Sequence, residues 1–178
     1  MNIQPRTVFK TAGLISLLLI VSRLLGYLRE ALLAARFGAT YATDAYLVAQ
    51  DLPTSLFAAV GAGLTLVFIP VYRDVVQKRG DAAAWRLVNT VLNLTVLIAA
   101  VLLLIGWGLA PAFVPRLAPG LPAAAIALAL SLTRMMLPMV LFMGLGGVAA
   151  AVLNANRQFM APAMVGLMNN LPVVLVLL

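Results

Sequence analysis

The sequence predicts an all-α, polytopic membrane protein of about five transmembrane helices. Of its 178 residues 64% are hydrophobic and only 10% charged, with a mean hydropathy of +1.09. Soluble domains are nearer half apolar and a quarter charged. The apolar residues also come in long runs that reach the ~20 residues a spanning helix needs. The basic residues gather at alternate breaks between those runs, the pattern that orients helices in a bilayer.

The first span covers roughly residues 9–38. Its basic start "MNIQPRTVFK" and the apolar "AGLISLLLIV" resemble a signal peptide, but no cleavage site closes them and apolar character resumes past Arg36. It therefore reads as a retained helix, stopped by Gly38. The second span covers about 42–71, from Thr43-Asp44 to "FIPVY". The third covers about 85–109, the fourth 122–153 and the fifth 161–178. Spans one, two and four are over-long and should tilt, kink or project beyond the hydrocarbon. Gly26, Pro53 and Pro138 interrupt these three spans and are the candidate hinges. Pro53 leaves the Ala49 carbonyl without an amide donor, which a bilayer makes costly unless a neighbour supplies one. The chain stops inside the apolar "NNLPVVLVLL", so a fragment of a longer polytopic protein is expected.

Loop charges set the expected orientation. Arg6, Lys10, Arg73, Lys78, Arg79, Arg86 and Arg157 fall on one side, and only Arg116 falls on the other. Basic residues favour the cytoplasmic side, which puts the N-terminus in the cytoplasm.

Several function classes are excluded. The net charge of +7 forms no surface run, so nucleic-acid binding is rejected. Without cysteine there are no disulfides or thiolate metal sites. Without histidine the usual proton switch and commonest metal ligand are missing. "GLGG" follows no strand and has the wrong spacing for a nucleotide motif. "AAVGAGL" (58–64) and "GLGGVAAAVLNA" (144–155) suit close helix packing. No catalytic set, metal cluster or P-loop is present, so neither an enzyme nor a cofactor is expected.

The informative residues are charges inside the apolar spans. A charge at the bilayer centre costs ~2.5–3.5 kcal/mol on insertion scales, so such residues usually face a polar interior. Arg23 lies near the middle of the first span, with Arg29 and Glu30 about two turns later. Arg23 and Glu30 share one helix face, and Arg29 and Arg36 share another. Arg23 and Arg29 are roughly 120° apart and would line a wide groove. Asp44 and Asp51 share a face of the second span, and in an antiparallel hairpin they would approach Arg36 and Arg29. Arg36 is expected to snorkel to the outer interface. Asp44 also suits the first turn of a helix beside Thr43. Arg134, four residues before Pro138, is either a further interior charge or an interfacial one. Arg23 and Arg29 are too deep to snorkel, and guanidinium forks match phosphate oxygens bidentately. An anionic substrate is therefore expected, bound by Arg23 and Arg29 with Glu30, Asp44, Asp51 and Arg134 around them.

"SRLLGYLREALLAARFGATYATDAYLVAQDLP" (22–53) closely resembles the opening of the MurJ/MviN family of lipid II flippases. "FIPVY" (68–72) and "LNANRQFMAPA" (153–163), followed by Asn170, are similar to that family's pattern. The resemblance implies the multidrug/oligosaccharidyl-lipid/polysaccharide (MOP) exporter superfamily: about fourteen helices in two lobes, with residues 1–178 forming most of the first and a missing C-terminal lobe completing it. It implies a bacterial cytoplasmic-membrane protein that moves an undecaprenyl-pyrophosphate-linked peptidoglycan precursor, lipid II, between leaflets by alternating access. It also implies that Arg23 and Arg29 line a cationic cavity, and that Glu30 and Asp44 match the family's acidic positions. Many Gram-negative members carry arginines and a glutamate after the "LP" of the second helix, where this chain has the uncharged "LPTSLFAAVGAGLT". That departure favours a Gram-positive or otherwise divergent member, or a related flippase of a different glycolipid. A drug exporter of the same superfamily would prefer an acidic cavity. A non-transporting scaffold, held together by Arg/Asp pairs, is the remaining alternative.

Overall fold

The computed structural model describes residues 5–178, with side chains for 12–58 and 66–178. Arg6, Lys10 and the small-residue run 59–64 lie outside the described side chains. Six helices account for nearly all of the described chain: α1 (Pro5–Phe37), α2 (Tyr41–Arg79), α3 (Asp81–Leu117), α4 (Ala123–Met136), α5 (Met139–Ala155) and α6 (Met160–Leu177). They form two compact units, one built from α1 and α6, the other from α2 to α5 (Ala39–Asn156).

Local chemistry explains the helix ends. Gly38 takes the left-handed conformation (φ 66) that lets its N–H donate to Ala34 O at 2.8 Å, closing α1. Thr40 then caps α2, its hydroxyl accepting from the Thr43 N–H at 3.5 Å, and Asp44 lies in the first turn, where the dipole favours an acid. Between α2 and α3 the expected charged loop "RDVVQKRGDAAAWR" shrinks to Gly80 alone. Its φ of 76 and ψ of 177 belong to a region that only glycine occupies readily. Lys78 and Arg79 occupy the last turn of α2 and Asp81 the first turn of α3, each at the favourable dipole end.

The expectation of five spans is corrected to four among the described residues. Ala12–Phe37, Asp81–Leu117, Ala123–Ala155 and Met160–Leu177 are long and apolar enough to cross a membrane. The described first part of α2 carries Asp44, Gln50 and Asp51, which lower its apolarity, and its middle lies outside the described side chains. At ~1.5 Å per residue the 37-residue α3 is about 55 Å long, far beyond the ~30 Å of hydrocarbon. The chain is a multi-pass, all-helical membrane protein.

The α2–α5 unit is held by small residues repeated every three or four positions. Ala45, Ala49 and Pro53 form such a row on α2, and Ala125, Ala129 and Thr133 another on α4. Val140, Gly144, Val148, Ala151 and Ala155 do the same on α5. Small side chains let backbones approach, the main route to helix association where lipid removes the hydrophobic drive. A Cβ at Gly144 would lie 2.8 Å from Thr95 Cγ2, and one at Gly106 2.9 Å from Leu137 Cδ2. At one end Phe68, Tyr72, Ala84, Val88, Ala151 and Ala155 form a further buried cluster.

The fourth expected span is two helices. Pro138 has no N–H for the Arg134 carbonyl, and the chain turns through i→i+3 bonds, Val140 N to Leu137 O at 3.0 Å and Leu141 N to Pro138 O at 3.1 Å. Leu137, fully buried, anchors the break. Pro53 and Pro70, by contrast, sit inside an uninterrupted α2. The Thr54 hydroxyl donates to Gln50 O and Asp51 O at 2.9 and 3.0 Å, giving the turn around Pro53 extra bonds.

Candidate functional site

In the α1–α6 unit, Ser22, Gly26, Arg29 and Glu30 recur at intervals that place them on one face of α1. Gly166 and Asn170 of α6 meet this face. A Cβ at Gly166 would stand 3.4 Å from Ser22 Cβ, and one at Gly26 3.5 Å from Asn170 Nδ2. The Asn170 amide donates to Ser22 O at 3.3 Å and to Gly166 O, one turn back on its own helix, at 2.9 Å. Gly26, read from sequence as a hinge, lies in an unbroken stretch of α1 beside that amide.

Arg29 pairs with Glu30, Nη2 to Oε1 at 2.5 Å, and their side chains are 17% and 52% exposed. Glu30 thus takes its sequence neighbour as partner rather than Arg23, with which it shares a face. Arg29 Nε is buried and has no hydrogen-bond partner among the described residues. A guanidinium carries five N–H donors in a fixed fork, so Arg29 keeps unused donors after its pairing with Glu30. Arg23 is exposed, and among the described residues of its unit it has no ion pair. Arg36 is exposed and donates to Leu178 O at 3.1 Å.

The other predicted residues belong to the α2–α5 unit. Asp44 and Asp51 are exposed. Among the described residues of that unit the ion pair is Lys78 with Asp74, and neither Asp44 nor Asp51 takes part in one. Arg134 is partly buried in the last turn of α4, with its Nε buried and without a hydrogen-bond partner among the described residues. It sits one residue from the fully buried Thr133, whose hydroxyl bonds Ala129 O at 2.7 Å. Both units therefore hold an arginine whose buried Nε lacks an acceptor among the described residues.

Two contacts were not legible as such. Arg73, read from sequence only as an orienting charge, donates through Nε to Ala155 O at 3.1 Å, the end of α5. Asn156 donates to the Tyr72 hydroxyl at 3.2 Å and to Val152 O at 2.9 Å. The Arg73 bond satisfies a carbonyl that the end of α5 leaves open. Asn170, named from sequence only as part of the family pattern, was a further omission from the site, and its signal was present: a polar amide within an apolar span usually bonds across helices.

Comparison with known proteins adds an independent line. The family model described as "Lipid II flippase MurJ" matches residues 33–178. The "Probable lipid II flippase MurJ" of Synechocystis sp. is 33% identical over 175 residues, covering 97% of this chain and 32% of that protein. The "Lipid II flippase MurJ" of Burkholderia cenocepacia is 34% identical over 148 residues, covering 81% and 28%. The protein of that name from Thermosipho africanus is 26% identical over 163 residues, covering 91% and 34%. The chain spans about a third of the length of these curated relatives. The family match begins at Leu33, after Arg23 and Arg29.

Proposed function

Because the chain belongs to the Lipid II flippase MurJ family, we propose that it forms the first lobe of a transporter moving lipid II across the bacterial cytoplasmic membrane. The observation that carries this reading is Arg29, a guanidinium deep in an apolar helix with donors left over after its pairing with Glu30. A charge there is retained only where something polar meets it, and a lipid pyrophosphate offers oxygens in the geometry a guanidinium fork accepts. Arg23 adds a second cation on α1. Glu30 holds Arg29 between visits of the substrate and releases it as the phosphate takes over. Asp44, Asp51 and Arg134 contribute from the α2–α5 unit, and Pro53 and Pro138 let α2 and the α4–α5 span bend as the cavity changes face.

On this reading the remaining length of the relatives corresponds to a second lobe that closes the cavity, and the two alternate between an inward and an outward opening. The charge bias of the loops supports a cytoplasmic N-terminus. Substrate then enters from the cytoplasmic leaflet, where membrane-linked precursors are assembled.

The test is complementation. Arg23→Ala and Arg29→Ala, placed in the full-length protein in cells depleted of their own flippase, are expected to abolish growth and precursor flipping at matched expression. Normal growth and flipping with both substitutions would remove the arginines from the mechanism.

A further inference from the structure

We propose that Asn170 is a positioning residue: its amide fixes the backbone of α1 at Ser22, so that Arg23 and Arg29 are presented from a rigid two-helix unit. This rests on the reading above that the α1 arginines meet the substrate.

The geometry supplies three reasons. Asn170 Nδ2 spends one donor on Gly166 O, which holds the side chain against its own helix, and another on Ser22 O, so α6 reaches α1 with a preset arm. Ser22 is the residue immediately before Arg23, and its carbonyl accepts the Gly26 helical N–H in a regular helix. An outside donor on that carbonyl reinforces α1 at the glycine where it is intrinsically weakest. A Cβ at Gly166 would overlap the Ser22 hydroxyl, so the Ser22 side chain fills the space that the glycine leaves on α6. Ser22 and Gly26, four apart on α1, thus match Gly166 and Asn170, four apart on α6. Arg29 follows Ser22 by seven residues on the same face, so rotation or sliding of α1 at Ser22 carries the Arg29 guanidinium with it.

Asn170 touches backbone at both ends of its bonds and acts on the arginines only through α1. A covalent tether between the helices should therefore replace it. The chain contains no cysteine. The 3.4 Å that separates a Gly166 Cβ from Ser22 Cβ is at the short edge of the ~3.5–4.5 Å found in disulfides.

The experiment uses the full-length protein, with any cysteine beyond this segment removed, in membranes containing lipid II. Ser22→Cys with Gly166→Cys is oxidised, and the linked peptides are identified by mass spectrometry. Three results are expected. The pair cross-links, and more slowly when Asn170→Leu is added. Asn170→Leu alone, at wild-type expression and thermal stability, loses most flipping. Oxidation of the triple variant restores flipping, and reduction removes it again. Flipping by Asn170→Leu at the parent rate overturns the proposal. So does failure of the tether to rescue, which would mean that Asn170 acts by some route other than position. Inactivity of the tethered parent overturns it as well, because α1 and α6 would then have to move apart. Should Gly166→Cys not fold, Asn170→Ala serves instead: it leaves no donor for Ser22 O at any pH, so it must behave as Asn170→Leu does. If the parent protein moves no lipid II at all, the transport reading fails, while the cross-linking rates with and without Asn170 still report on the positioning.

Discussion

A methyl group added at Gly144 would come within 2.8 Å of Thr95 Cγ2. Thr95 is β-branched and stiff at χ1, so it cannot swing aside as the tip of Leu137 can for a side chain at Gly106. Gly144→Ala is therefore expected to cost about 1–3 kcal/mol of stability, the range for overpacked sites, read as a lowered Tm in detergent. Thr95→Ser removes the offending methyl and should recover most of that loss in the double variant, a coupling expected of residues in contact. The sequence showed that 144–155 was rich in small residues but not which of them had no room, because that depends on the residue opposite. The charged positions divide the same way. Arg29 and Glu30 were visible as interior charges from spacing alone. That they bond each other was not, since neighbours on a helix point about 100° apart and meet only through long, bending side chains.

Helix extents were legible where apolar runs were clean and misread where breakers and charges clustered. "APAFVPRLAPGLP" reads as a loop, yet α3 continues through Pro111 and Pro115 to Leu117. Each proline forfeits one backbone bond, but Ala110 and Val114 are buried on the same face and hold the segment helical through packing. The charges of "RDVVQKRGDAAAWR" similarly concealed two helices meeting at one residue. Gly80 carries that junction, and its backbone conformation is costly for any residue with a Cβ. Gly80→Ala should destabilise the protein by about 1–3 kcal/mol. The measurement is thermal unfolding in detergent, with Ala82→Gly as a control at a helical position, where the loss should be nearer 1 kcal/mol.

Across the whole molecule the fold class was readable from composition, and the family was readable from three short motifs. The proposed orientation rests on charge asymmetry, and it yields a prediction. With α2 crossing the membrane as the alternation of loop charges requires, a reporter active only outside the cytoplasm should be active when inserted at Gly120, in the turn between α3 and α4, and silent when inserted at Gly80. The reverse pattern would invert the proposed entry side of the substrate. What composition could not show was the partnership of α1 with α6 across the whole of the α2–α5 segment, because apolar runs of similar character carry no address for one another.

That partnership has a consequence for synthesis. Helices α1 and α6 are separated in the chain by Ala39–Asn156, and ribosomes add ~5–20 residues per second. After α1 leaves the insertion machinery, roughly 6–24 s pass before α6 exists to stand beside it. Throughout that interval Arg23 and Arg29 lie in a nascent helix without the neighbour that later braces it, and headgroups, water or the insertion machinery itself must shelter them. The helix that carries Arg23 and Arg29 is also the one that waits longest for its partner.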